Sequence, residues 1–200
     1  TAYLDGTTLH IEGTGTGAMK DFKLQTNQSP WYADGTINAA IKSITINDGV
    51  TSIGNCAFHT CISLKSVVFP SSLTRIGSQA FEACSSLTSV TIPQNVTSIG
   101  EAAFYGAGLT SIDIPERVAK IEERAFVKCG SLTDIRVAEE NTAYTSQDGV
   151  LFSKDMTTLI CFPSAKVCTK DTYTIPETVT SIFTEAFRYC TKFTKITIPS

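Results

Sequence analysis

Seven cysteines, two histidines and two adjacent pairs of glutamates are the side chains with which this 200-residue chain could do covalent or metal chemistry. A thiolate beside an imidazole would make a nucleophile, four Cys or His ligands a zinc site, and two facing carboxylates a glycosidase. The spacing speaks against each. Cys61, Cys84, Cys129 and Cys190 all stand three residues after the phenylalanine of an Ala-Phe pair, and Ala107 fills the same slot in a further copy. Cysteine and alanine interchanging at one slot describe small buried side chains, and a free thiol packs as a small hydrophobe. The paired Cys-x-x-Cys spacing of structural zinc is missing. Cys56, Cys161 and Cys168 fall outside the column; the odd total forbids complete internal pairing, and a Cys161–Cys168 bridge stays open beside free thiols.

His10 and His59 have no serine or cysteine nucleophile and orienting acid in a recognisable arrangement, and His59 occupies a slot that is Glu82, Tyr105, Val127 or Arg188 in other copies. Such a variable slot reads as surface. Adjacent carboxylates, Glu122-Glu123 and Glu139-Glu140, point apart on a strand or turn and read as solvated charge. The glycines of Gly13-Thr14-Gly15-Thr16-Gly17 read as a turn, because no crossover helix or second parallel strand follows at the spacing of a dinucleotide fold. No catalytic set, cofactor site or metal site is read from the chain. Sixteen basic residues against nineteen acidic ones, without a basic cluster, provide no footprint for nucleic acid. No apolar run reaches the roughly 18 to 20 residues that would insert into a membrane.

What positions these residues is a repeat. The Ala-Phe pairs Ala57-Phe58, Ala80-Phe81, Ala103-Phe104, Ala125-Phe126 and Ala186-Phe187 place phenylalanines 23, 23, 22 and 61 residues apart. Before each lies an apolar doublet: Val50/Ile53, Leu73/Ile76, Val96/Ile99, Val118/Ile121 and Val179/Ile182. After the pair, short alternating runs (Ile44-Thr45-Ile46, Val67-Val68-Phe69, Val90-Thr91-Ile92, Ile112-Asp113-Ile114, Ile135-Arg136-Val137, Ile196-Thr197-Ile198) read as strands with one buried face. A strand this short buries its apolar face only by stacking on copies of itself at roughly 4.8 Å, so the chain is a solenoid. Proline follows the strand at Pro70, Pro93, Pro115 and Pro199 and ends the ladder. The segment around each Ala-Phe pair is a turn or a single short helix, and Gly54, Gly77 and Gly100 invite a positive-φ explanation that Glu122 and Phe183, at the same slot, weaken.

The unit Leu-x-x-Val-x-Ile-Pro-x-x-Val-x-x-Ile-Gly-x-x-Ala-Phe-x-x-Cys-x-x-Leu, matched closely by Cys84-Ser-Ser-Leu87-Thr-Ser-Val90-Thr-Ile92-Pro93, resembles the BspA-like (Treponema pallidum type) class of leucine-rich repeat across residues 41–200. The resemblance implies a right-handed leucine-rich-repeat superhelix, mainly β, with one parallel strand and a short turn or helix per repeat of about 23 residues. It also implies a secreted or cell-surface location and a role in adhesion to host proteins or other cells.

The expected organisation is an N-terminal cap over 1–40, in which Trp31 covers the first coil; regular repeats over 41–137; a variant repeat with a β-hairpin over 138–175; and a final repeat over 176–200, truncated without a C-terminal cap. Side chains on the outward face of the strands vary while their position recurs: Ser43, Thr45, Ser66, Val68, Ser89, Thr91, Ser111, Asp113, Asp134 and Arg136, with Lys195 and Thr197 beyond. In solenoids one side chain per coil builds an extended concave surface. The resulting expectation is a non-catalytic module that binds a protein or glycan, such as host extracellular matrix or another cell surface, through that concave face. A structural spacer presenting another domain is the rival reading.

Overall fold

The structure, a computed structural model, describes residues 1–13, 17–23 and 28–199; residues 14–16, the middle of the glycine-rich turn expected from the sequence, lie outside that description. The chain winds as a solenoid whose coils meet along three lines of backbone hydrogen bonds. The coils are numbered here by their phenylalanines: Phe58, Phe81, Phe104 and Phe126 mark the first four, Phe162 a variant coil and Phe187 the last.

Along the first line the short strands pair in parallel and in register: Thr8–Ile11 with Ser43–Ile46 and then Ser66–Val68, Ser111–Ile114 with Asp134–Val137, and Thr172–Thr174 with Lys195–Thr197. Leu9, Ile44, Ile112 and Ile135 point inward and are buried, as period-two patterning requires. The cap contributes more than a cover, because Thr8–Ile11 continues the strand column, with Leu9 opposite Ile44 and Ile11 opposite Ile46. Ala2–Asp5 folds back antiparallel on its outer edge. Two strand expectations need correction. Residues 89–92 form no strand. The break lies beside the one repeat that is a residue short, where Gly108 is drawn so tightly onto the preceding coil that a Cβ would sit 2.2 Å from the Ser85 carbonyl oxygen. In the last coil Ile196 and Ile198 are exposed, because Lys195–Thr197 pairs along one edge only.

The apolar doublets form the second line. Val50–Ile53, Arg75–Ile76, Ser98–Ile99 and Lys120–Ile121 stack in parallel, and Thr158–Cys161 pairs with Ser181–Ile182 further on. The glycines that follow the doublets are explained by close approach and not by φ. A Cβ on Gly54, Gly77 or Gly100 would lie 2.0, 2.7 or 2.5 Å from backbone atoms of the preceding turn.

At the third line the alternative of a short helix fails. Around Phe58, Phe81, Phe104, Phe126 and Phe187 positive φ recurs two residues before and two after the ring: at Cys56 and Thr60, Gln79 and Ala83, Ala102 and Gly106, Arg124 and Lys128, and Glu185 and Tyr189. In the first three of these turns every second N–H points toward the next coil. Cys56, Phe58 and Thr60 donate to Ser78, Ala80 and Glu82; Gln79, Phe81 and Ala83 donate to Glu101, Ala103 and Tyr105; Ala102, Phe104 and Gly106 donate to Glu123, Ala125 and Val127. The phenylalanine rings are thereby stacked, with centroids 5.2, 5.4 and 5.9 Å apart from Phe58 to Phe126.

Such a ribbon leaves the carbonyls of its first coil without a donor from a preceding coil; the cap supplies two and the coil itself a third. The Phe22 N–H donates to Asn55, the Trp31 indole N–H to Ala57 at 2.6 Å, and the Thr60 hydroxyl to His59. Trp31 also stacks on Phe58 at 5.5 Å, continuing the aromatic column into the cap.

The variant coil departs from the unit at two doublet positions. Asn141 and Tyr144 stand where Val118 and Ile121 stand one repeat earlier. Asn141 is fully buried and satisfied: its amide donates to Pro115 and Val118 carbonyls, and its oxygen accepts from Ala143 and Tyr144 N–H. The Tyr144 hydroxyl accepts from the Ile121 N–H at 2.7 Å, replacing a strand neighbour. From there Tyr144–Gln147 and Val150–Ser153 make an antiparallel hairpin whose turn, Asp148-Gly149, takes positive φ at both residues, as two-residue hairpins favour. The core has two clusters, one running from Leu9 through Ile135 into the variant coil at Tyr144, Leu151, Ile160 and Cys161, and one around Phe152, Phe162 and Ile175, with Phe183 packed against both.

Truncating Trp31 to alanine is expected to cost about 3–5 kcal/mol, whereas Trp31→Phe keeps a stacked ring, orphans the Ala57 carbonyl and costs about 1–3 kcal/mol. Chemical denaturation of both variants checks this; equal losses would show that the indole N–H contributes nothing.

Candidate interaction face

Strand pleating fixes what the outer surface of the first column can hold. Side chains alternate, so each coil contributes two outward positions, and parallel registration stacks equivalent positions into rows. Register pairs Thr45 with Val68 and Asp113 with Arg136 in one row, and Ser43 with Ser66 and Ser111 with Asp134 in the other, while Thr91 and Ser89 lie in the unpaired stretch between; every one is exposed or half-buried. The register adds residues that repeat-counting missed. Thr8 lies opposite Ser43, its hydroxyl 2.7 Å from the serine's, and His10 lies opposite Thr45. Tyr3 crosses from the hairpin strand to stack on His10 at 4.9 Å, giving the cap end of the face an aromatic platform. The signal was present in Thr8-Leu9-His10-Ile11, which has the alternation of Ser43-Ile44-Thr45-Ile46 without the rest of the unit.

Toward the other end the charged positions act together. Arg136 donates from Nε to Asp113, from Nη1 to Asp134 at 2.8 Å and from Nη2 to Ser111 at 3.5 Å. The two carboxylates raise the Arg136 pKa, Asp113 foremost. One guanidinium between two carboxylates leaves the cluster with one net negative charge, and Asp113 keeps oxygen surface facing solvent. Beside it runs a groove of about 360 Å³ lined by Thr91, Gln94, Pro115 and Val137 together with Asp113 and Arg136. Exposed Val68 sits two coils away in the same row. The arrangement can recognise shape, hydrogen-bonding groups and charge.

The residues considered for chemistry are placed otherwise. Glu122 accepts from Lys120 and from the Glu101 N–H, and these bonds, that to Lys120 first, hold its carboxyl below the usual range. His59, expected at the surface, is enclosed: its side chain is 12% exposed, 3.8 Å from Glu82 and edge-on to Tyr32. Burial lowers its pKa against the opposing pull of Glu82.

All seven cysteines are free thiols, so the Cys161–Cys168 bridge is not formed. Cys84 and Cys129 each donate to the phenylalanine carbonyl of the coil before, Phe58 and Phe104. Burial pushes Cys61, Cys129 and Cys190 up to about 12, and Cys84 and Cys161 well above the usual thiol value. Among the described residues no group of three or more His, Cys, Asp or Glu could hold a metal ion, and no helix is long and apolar enough to cross a membrane.

With the geometry in place, comparison with known proteins is direct. The model of the BspA type leucine-rich repeat region matches residues 37–149 and 161–200 in six copies. The chain belongs to the BspA-type leucine-rich-repeat family. Its gap in that match, 150–160, holds one hairpin strand and the beginning of the next strand. The solenoid is similar to a leucine-rich repeat protein from Eubacterium ventriosum, at 29% identity and a TM-score of 0.78, with 98% of this chain and 56% of that one covered. It is also similar to the pneumococcal vaccine antigen PcpA at 23% identity and 0.70, covering 99% and 62%. A leucine rich cell surface protein from Faecalibacterium prausnitzii matches at 24% and 0.53, covering 100% and 76%. The chain thus spans less than two thirds of the first two. No curated protein matches it significantly. BspA-type repeats are in general non-catalytic scaffolds for protein interaction.

Two outcomes follow from burial. Because the folded His59 pKa lies below the unfolded value of about 6.5, its neutral form contributes fully above that pH and the contribution is lost as pH falls through the folded pKa. Proton NMR titration should place His59 below 6.5; a higher value would refute the enclosure. Native Cys61, Cys84, Cys129 and Cys161 should alkylate at pH 8 at least ~10-fold more slowly than in denatured protein, read by peptide mass.

Proposed function

We propose that this chain is the interaction module of a secreted or cell-surface protein, and that it binds a protein or glycan partner through the outer face of its first strand column in an adhesive role. The observation that carries the reading is the Arg136 cluster: Asp113, Asp134 and Ser111 from two adjacent coils hold one guanidinium in place on an otherwise small-residue surface. A preorganised charge recognises a partner at lower entropic cost than a free one. The aromatic pair Tyr3–His10 at the far end of the face and the exposed Val68 between them make the surface uneven enough to discriminate. A surface setting is supported by family membership and by two similar structures, a vaccine antigen and a cell surface protein. The reading as a spacer is favoured by the row Ser43, Ser66, Ser89 and Ser111, whose short side chains offer little contact area.

Screening against extracellular-matrix proteins and surface glycans, then repeating the hits with Asp113→Ala and Arg136→Ala, separates the two. Each substitution should weaken binding by about tenfold or more, and Arg136→Ala should change stability by no more than about 1 kcal/mol because the pairs are exposed. Hits that both variants retain at full strength would move the site off this face, and a chain without hits would be a spacer.

A further inference from the structure

The turn ribbon presents two side chains per coil just after the phenylalanine: His59 and Thr60, Glu82 and Ala83, Tyr105 and Gly106, Val127 and Lys128, Arg188 and Tyr189. In the variant coil this ridge is missing. Phe162 follows Leu159 by three residues, where Phe58 follows Ile53 by five, and Phe162 donates to Ala186 to join the ladder early. Pro163 then has no N–H to offer, and Ala165 turns inward to donate to Leu132 at 2.8 Å. Across the gap, side chains of the third, fourth and last coils meet. The Lys128 ammonium lies 5.6 Å from the Tyr105 ring centroid and 5.5 Å from that of Tyr189, and the Arg188 guanidinium lies 5.1 Å from the Tyr189 ring.

We infer that this cluster is a second binding site, for an acidic sugar. Two cations stand beside a single carboxylate, since Glu185 pairs with Arg188 and the nearby Arg124 is already held by Glu101. Lys128, exposed, pairs with no carboxylate among the described residues and is steadied by the two phenol rings. One unmatched positive charge suits one carboxylate. Exposed Tyr189, whose hydroxyl is hydrogen-bonded with that of Tyr105 across the gap, adds aromatic surface that complements the C–H face of a pyranose. A peptide fits less well: on this edge the N–H groups of the first three coils that point along the stack are already bonded to the next coil, so an extended chain has no ladder to join. The site is separate from the strand face and draws on none of its residues.

Calorimetric titration at low salt with trigalacturonate, its methyl ester and triglutamate tests the assignment. Trigalacturonate should bind, the ester should not, and Lys128→Gln and Tyr105→Leu should each weaken binding by at least about tenfold, while Arg136→Ala binds as the unmodified chain does. Melting curves show whether each variant is folded; if Lys128→Gln unfolds, Tyr105→Leu decides. Equal binding of the ester, unchanged binding by the folded variants, tighter binding of triglutamate than of the sugar, or no binding of trigalacturonate would each overturn the proposal.

Discussion

Each coil of this protein must bring its backbone within one hydrogen bond of the coil before it, along as many as three lines at once. The demand is severe where a phenylalanine has to enter the core, because a regular helix there would satisfy its own N–H groups and send none to the neighbour. A turn with left-handed residues two before and two after the phenylalanine solves the problem, with every second amide pointing along the stack. Ring spacing, the close glycines and the small Cys/Ala column all follow from that approach. Thiols are tolerated in the column because each is small, and Cys84 and Cys129 donate to a carbonyl of the coil beneath.

The repeat, its strand and its inward phenylalanine were readable from apolar spacing, because burial leaves a periodic trace in residue type. The ribbon left none: Cys56, Gln79, Ala102, Arg124 and Glu185 share a backbone conformation and no side-chain property. Here tertiary hydrogen bonding overrides the reluctance of such residues to take positive φ. Asn141 and Tyr144 were missed for a related reason. They occupy doublet positions in polar form, and only their bonds to Pro115, Val118 and Ile121 reveal the equivalence. The outward rows were legible as positions, while the gathering of Asp113, Asp134 and Ser111 onto Arg136 needed side-chain geometry.

The variant coil changes more than local pairing. By exchanging an apolar doublet for a buried, fully bonded asparagine and tyrosine, it ends one aromatic stack at Phe126 and lets another begin at Phe162. Polar anchoring at such a seam defines register, since Asn141 bonds fully only where Pro115 and Val118 both present carbonyls. The first cluster nevertheless crosses the seam through Tyr144, Leu151, Ile160 and Cys161, so the coils on its two sides share apolar contact.

The turn ribbon also makes the solenoid electrically asymmetric. In parallel strands successive amides point in opposite directions and their dipoles largely cancel, but the ribbon aligns three peptide units per coil the same way, each with a dipole of about 3.5 D. Negative ends face the cap and positive ends face the later coils. A stack of short turns thus acquires, at right angles to its own chain direction, the polarity that a helix has along its axis, and the Trp31 indole N–H is the donor that meets its negative pole.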